Sequence, residues 1–128
     1  MAIETEEMLD LTLGAGRDAP ARARAALGGL NGSLADLRHS VRLLVSELVT
    51  NAVQHGARSG GTVQVRLEAF SDHVRVEVRD HGPGFTPQVG DPADPLTHGF
   101  GLKLVHELTD RWGVEPGGDT LVWFEIDR

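Results

Sequence analysis

Cysteine is absent from the 128 residues, which excludes disulfide frameworks, thiolate metal sites and cysteine nucleophiles. Basic residues are scarce. Twelve lysines and arginines stand against 19 aspartates and glutamates, a net charge of −7, and along the sequence they never cluster. A nucleic-acid binder needs a concentrated positive face, so that class is disfavoured. No apolar run approaches the roughly 20 residues of a membrane span. The opening MAIETEEMLD has neither the basic nor the apolar region of a signal peptide, so a soluble cytoplasmic protein is expected. With 40% hydrophobic residues, the chain can bury a core without help from metal or disulfide.

What is present fits a single domain over residues 1–128, with Met1 to Glu7 acidic and expected to fray. Met8 to Leu13 alternates apolar and polar residues, the period of a half-buried strand. Asp18 is a candidate N-cap for a helix from Ala19 to Leu30, with Pro20 tolerated in its first turn. Asn31-Gly32 breaks that helix, and Ser33 can cap the next. The second helix, from about Leu34 to His55, carries Leu37, Val41, Leu44, Val45, Leu48, Val49, Ala52 and Val53 at helical spacing. Strands follow at Thr62 to Phe70 and Val74 to Asp80, with Ser71-Asp72-His73 as their turn. His81 to His98, rich in proline and glycine, reads as a long functional loop. A third helix from Gly99 to Arg111 and two short strands, Trp112 to Glu115 and Thr120 to Ile126, close the chain. The expected fold is an α/β two-layer sandwich, a mixed, mostly antiparallel sheet covered on one face by about three helices.

Three segments carry chemistry. In Glu47-Leu-Val-Thr-Asn51-Ala-Val-Gln-His55, helical spacing puts Glu47, Asn51 and His55 on one stripe beside the apolar face. Polar groups there line a cleft or carry an unsatisfied burial cost. Asp80-His-Gly82-Pro-Gly84-Phe85 ends a strand with a carboxylate able to accept from an amino group, and its glycines permit close approach of a ligand. His98-Gly99-Phe100-Gly101-Leu102 leads directly into a helix, offering free N–H groups and the positive helix end to phosphate. Taken singly, each segment reads as a solvated helix edge, a turn or a plain loop. Their co-occurrence in this order is what argues for a site.

These segments resemble the N box, G1 box and G2 box of the GHKL ATPase superfamily. SELVTNAVQH (46–55), DRWGV (110–114) and VWFE (122–125) are similar to the small anti-sigma-factor serine kinases within it, and the resemblance spans nearly the whole chain. It implies a Bergerat-type ATP-binding fold. It also implies a serine/threonine kinase that sequesters a sigma factor and phosphorylates an anti-anti-sigma partner of the STAS type. By resemblance, Asn51 holds Mg²⁺ and Asp80 accepts the adenine amino group. Gly82 and Gly84 let the nucleotide approach. Gly99, Phe100, Gly101 and Leu102 give N–H groups to the phosphates. Residues 86–98 form an ATP lid, and Glu47 is the candidate base. A homodimer is implied, with the Met8 to Leu13 edge as its candidate interface.

The other polar residues of these segments are assigned smaller parts. His55 reads as a hydrogen-bonding neighbour of Asn51, and Lys103, the lone lysine, as a solvated helix position. His106 lies inside the third helix and is not read as a phosphoacceptor. Trp112, Trp123 and Phe124 read as core and sheet-packing residues. One departure stands out: the family often places an adenine-site threonine directly before the Val-Trp-Phe run, where this chain has Leu121. Thr120 comes one residue early, which should turn it to the opposite sheet face. The competing function is an ATP-dependent binding switch without transfer activity. A detached histidine-kinase catalytic domain is disfavoured, because no dimerisation helix with an acceptor histidine is present.

Overall fold

The computed structural model describes residues 5–29, 34, 36–56, 61–81, 102–115 and 119–128. Its elements run β1 (Thr5–Gly14), α1 (Ala19–Leu27), α2 (Arg38–Asn51) with a terminal π turn (Ala52–Gly56), β2 (Thr62–Phe70), β3 (His73–Asp80), α3 (Leu102–Leu108), β4 (Arg111–Glu115) and β5 (Thr120–Asp127). The five strands form one sheet in the order β1-β2-β3-β5-β4, and every neighbouring pair is antiparallel, so the sheet is not mixed.

Strand alternation decides which face is buried. Val63, Val65, Leu67 and Ala69 of β2, Val74, Val76 and Val78 of β3, and Val122, Phe124 and Ile126 of β5 all point to one side. Against them pack Ala19, Ala23 and Leu27 of α1, Val41, Leu44, Val45, Leu48 and Val49 of α2, and Leu102 and Val105 of α3. Each fully buried large side chain of this layer contributes about 1.5–3 kcal/mol relative to exposure. The two-layer reading therefore holds. Among the described residues, no helix is long and apolar enough to cross a membrane.

Element ends differ from expectation for local reasons. β1 begins at Thr5, within the segment expected to fray, because it pairs along β2 and turns Leu9, Leu11 and Leu13 to the core. Met8 points away and is 51% exposed. Asp18 makes no side-chain cap for α1 and lies instead 3.8 Å from Arg22. α1 ends at Leu27 and α2 starts at Arg38, four residues later than Leu34, with the Leu37 amide donating to the Leu34 carbonyl at 3.0 Å. Ser33 and the Asn31-Gly32 break lie outside the described residues. α3 spans Leu102–Leu108 and ends before the expected Arg111, with the Thr109 hydroxyl and amide both donating to the Val105 carbonyl, at 2.6 and 3.1 Å, in its last turn.

The uncovered face carries an ion-pair ladder. Arg75 bonds Glu77 and Glu125, and Arg111 bonds Glu125 and Asp127. Arg75 also stacks over Trp123, 4.5 Å from the ring centroid, and Trp123 lies across its strand partner Gly113. Of the three aromatic residues read as packing residues, Phe124 lies in the helix-covered core and Trp112 against it, while Trp123 serves the opposite face.

Candidate functional site

The second helix changes its winding where the polar stripe lies. The Thr50 hydroxyl donates to the Ser46 carbonyl at 2.7 Å, a side-chain bond that competes with the regular backbone ladder. One residue beyond Asn51 the chain passes into the π turn, whose backbone bonds close one residue later than those of an α-helix. Glu47 and Asn51 remain one α-turn apart, both half-buried. His55 belongs to the π turn, so the stripe does not continue through it with α spacing; its side chain lies outside the described residues.

Asn51 presents the sharper anomaly. Its Nδ2 is buried with no hydrogen-bond partner among the described residues. Leaving such a donor unmade costs about 1–3 kcal/mol, so a polar ligand is the natural complement. The carboxylate of Glu47, one turn earlier, is engaged by no hydrogen bond or ion pair among the described residues. The π turn and α2 both lie against β3, and α2 also touches α3. This packing carries Asn51 toward the strand that ends in Asp80.

Asp80 is 1% exposed at the helix-covered face of the sheet's end. Its antiparallel partner on β5 is Thr120, also 1% exposed. This overturns the expectation that Thr120 faces away. The phase of β5 is set by Val122, Phe124 and Ile126 pointing inward, and Thr120 is in step with them, whereas Leu121 pairs with Arg79 on the other face. A carboxylate and a hydroxyl thus stand together in an otherwise apolar layer, a polar pair suited to an exocyclic amine.

Beside this pair stands a contact that the sequence reading missed. His81 Nδ1 lies 3.2 Å from Asp119 Oδ2, and its Nε2 lies 3.2 Å from Gln64 Oε1. The imidazole therefore ties together β2, the end of β3 and the lead-in to β5. No sequence signal links His81 to Asp119, since pairing of β3 with β5 alone makes them neighbours.

Of the remaining candidates, Leu102 opens α3 with its side chain in the core, so it can offer an anion only its backbone N–H. Gly82, Gly84, Gly99, Phe100, Gly101 and the 86–98 segment lie outside the described residues. Lys103 is exposed, as expected. His106 is also exposed, with its ring edge-on to Trp112. The described residues suit a nucleotide with a divalent cation. Asn51 supplies a hard amide oxygen while its Nδ2 lacks a partner among the described residues, and Asp80 with Thr120 forms a buried polar end.

Residues 13–124 match the histidine kinase-like ATPase domain family. The chain is 25% identical over 125 residues to the serine-protein kinase RsbW of Halalkalibacterium halodurans, covering 87% of this chain and 77% of that one. It is 36% identical over 78 residues to blue-light-activated histidine kinase 2 of Erythrobacter litoralis, covering 59% of this chain and 22% of the kinase. Among solved structures, the RsbU and RsbW domains of Rv1364c from Mycobacterium tuberculosis superpose with a TM-score of 0.66 at 25% identity, covering 94% of this chain and 31% of that one. The chain thus spans well under half the length of two of these relatives.

Proposed function

Because the chain belongs to the histidine kinase-like ATPase domain family, we propose that it is an ATP-binding anti-sigma factor that phosphorylates a serine of an anti-anti-sigma partner of the STAS type. The single observation that carries this reading is the buried Nδ2 of Asn51, without a hydrogen-bond partner among the described residues, one helical turn beyond a Glu47 carboxylate that none of them engages. Similarity to a serine-protein kinase over 87% of the chain supports the choice of acceptor.

Each residue then has a physical role. Asp80, with Thr120 beside it, accepts the adenine amino group, and Gly82 and Gly84 allow close approach of the base. Gly99, Phe100, Gly101 and Leu102 offer backbone N–H groups to the phosphates. Asn51 would hold Mg²⁺ through its amide oxygen, and the ion would neutralise phosphate charge when bound. Glu47 orients the seryl hydroxyl. The seryl oxygen bonds to the γ-phosphorus as the bond to the bridging oxygen of the leaving diphosphate breaks, and the hydroxyl proton passes to the Glu47 carboxylate. Positioning and charge supply most of the barrier reduction in such transfers, so Glu47 acts chiefly by orienting the hydroxyl. We take the protein to act in the cytoplasm as a homodimer, pairing through the open edge of β1, and to capture a sigma factor.

The test is transfer from γ-labelled ATP, with Mg²⁺, to a small STAS protein that the chain binds. Label on a serine of that partner is the expected result. No transfer to a partner it demonstrably binds would reject the kinase and leave a nucleotide-dependent binding switch.

A further inference from the structure

The arginines that are dispersed in sequence come together in space. Residues 15–46 hold Arg17, Arg22, Arg24, Arg38 and Arg42 against Asp18 and Asp36, a surplus of +3 in a chain of net charge −7. Packing of α1 on α2 gathers part of this surplus around a cavity of about 370 Å³, lined by Arg24, His39, Arg42, Leu43 and Ser46. His39 and Arg42 are exposed, and Arg24, Leu43 and Ser46 are half-buried. Arg24 is held in place by its Nη1, which donates to Ser46 Oγ at 2.5 Å, a bond that leaves its charge uncompensated.

The gathering of three cations on one groove is the telling feature. Arg22, Arg66, Arg75 and Arg111 each lie against a carboxylate, whereas Arg17, Arg79 and Lys103 make no ion pair among the described residues. None of Arg24, His39 and Arg42 makes an ion pair among the described residues, although carboxylates outnumber cations in the chain. Leu43 adds an apolar surface to the lining. This face lies on the helical layer.

We infer that the α1–α2 groove is a docking surface for an acidic helical segment of a protein partner. Carboxylates one turn apart on that segment pair with Arg24 and Arg42, and an apolar side chain between them seats on Leu43. Charge complementarity selects the occupant. The local surplus attracts a short acidic segment, while the −10 carried by the rest of the chain opposes a long polyanion or an anionic membrane. The pairing would set partner choice and association rate more than raw affinity. The inference does not depend on nucleotide binding or phosphate transfer.

The experiment titrates the full chain, by fluorescence anisotropy, with a labelled helical peptide of about 15 residues carrying glutamates one turn apart around a leucine. A lysine-for-glutamate version, a single-stranded oligonucleotide and anionic vesicles run alongside. The glutamate peptide should bind, and more weakly as salt rises. Arg24→Glu with Arg42→Glu should weaken it by about tenfold or more and bring in the lysine peptide. Arg66→Glu, on the uncovered sheet face, should change nothing. The milder pair Arg24→Gln with Arg42→Gln, checked for an unchanged thermal transition, covers any misfolding of the reversed pair. No binding of the glutamate peptide, equal binding by the reversed variant, or tighter binding of oligonucleotide or vesicles would overturn the inference.

Discussion

Asp80 and Thr120 stand directly opposite one another on β3 and β5, each 1% exposed, on the helix-covered face of the sheet. Cross-strand neighbours of this kind are the closest side chains a sheet offers. A buried carboxylate at a strand's last residue thereby has a hydroxyl neighbour on the same face. Asp80→Ala should weaken ATP binding roughly ten- to hundredfold, since a hydrogen bond to a charged group is worth about 1.5–3 kcal/mol. Thr120→Val should cost less and reduce discrimination between ATP and GTP. Calorimetry with both nucleotides measures this, and unchanged ATP affinity in Asp80→Ala would remove the carboxylate from the site.

Asn51 supplies the second prediction. Its Nδ2 lacks a partner among the described residues, and its amide oxygen is a suitable metal ligand. Wild-type affinity for ATP should therefore rise with Mg²⁺, and Asn51→Ala should lose that increment while keeping the metal-independent part. Equal binding with and without the ion in the wild type would contradict the assignment.

Glu47 separates binding from transfer. It lies one turn before Asn51, and among the described residues no partner engages its carboxylate. Glu47→Gln should bind ATP and partner normally yet transfer phosphate about two to four orders of magnitude more slowly, the range for a positioned acid–base group. A single-turnover assay reads this directly, and an unchanged rate would reject the role.

The uncovered face gives a pH dependence. Burial pushes the Glu125 carboxyl up, but hydrogen bonds from Arg111 and Arg75 outweigh it and hold the group below its ordinary value. Hydrogen bonding to Arg111 likewise holds Asp127 low, against a smaller opposing effect of burial. A carboxylate lowered in the folded state stabilises above its unfolded pKa, about 4, and that contribution is lost as pH falls through the folded value. Stability from urea unfolding should therefore decline below about pH 4, and Arg111→Met should flatten that decline. An equally steep fall in the variant would place the acid sensitivity elsewhere.

Gly113 is held by packing. A Cβ built there would lie 2.7 Å from Trp123 Nε1 and 2.9 Å from two ring carbons. Gly113→Ala should displace the indole from beneath Arg75, cost about 1–3 kcal/mol as overpacking does, and shift tryptophan fluorescence. A variant as stable as the parent would mean that the strand relaxes freely.

The sequence by itself determined the order of elements and the buried face of β1 and β3, and it singled out Glu47, Asn51 and Asp80 as candidates. Alternation and helical spacing are local periodicities, and a single chain displays them in full. Helix ends were less legible: α1 stops at Leu27, α2 starts at Arg38, and the π winding after Asn51 is not recorded in residue spacing. The place of Thr120 was half legible: its phase with Val122 was present in the sequence, but the residue opposite it was not. Tertiary structure alone decided what pairing and packing bring together. Register across β3 and β5 set Asp80 against Thr120 and His81 beside Asp119. The docking of α1 on α2 drew Arg24 and Arg42, eighteen positions apart, around one groove. Such contacts arise from the summed burial of two apolar faces, and no local pattern encodes which polar side chains that burial makes neighbours.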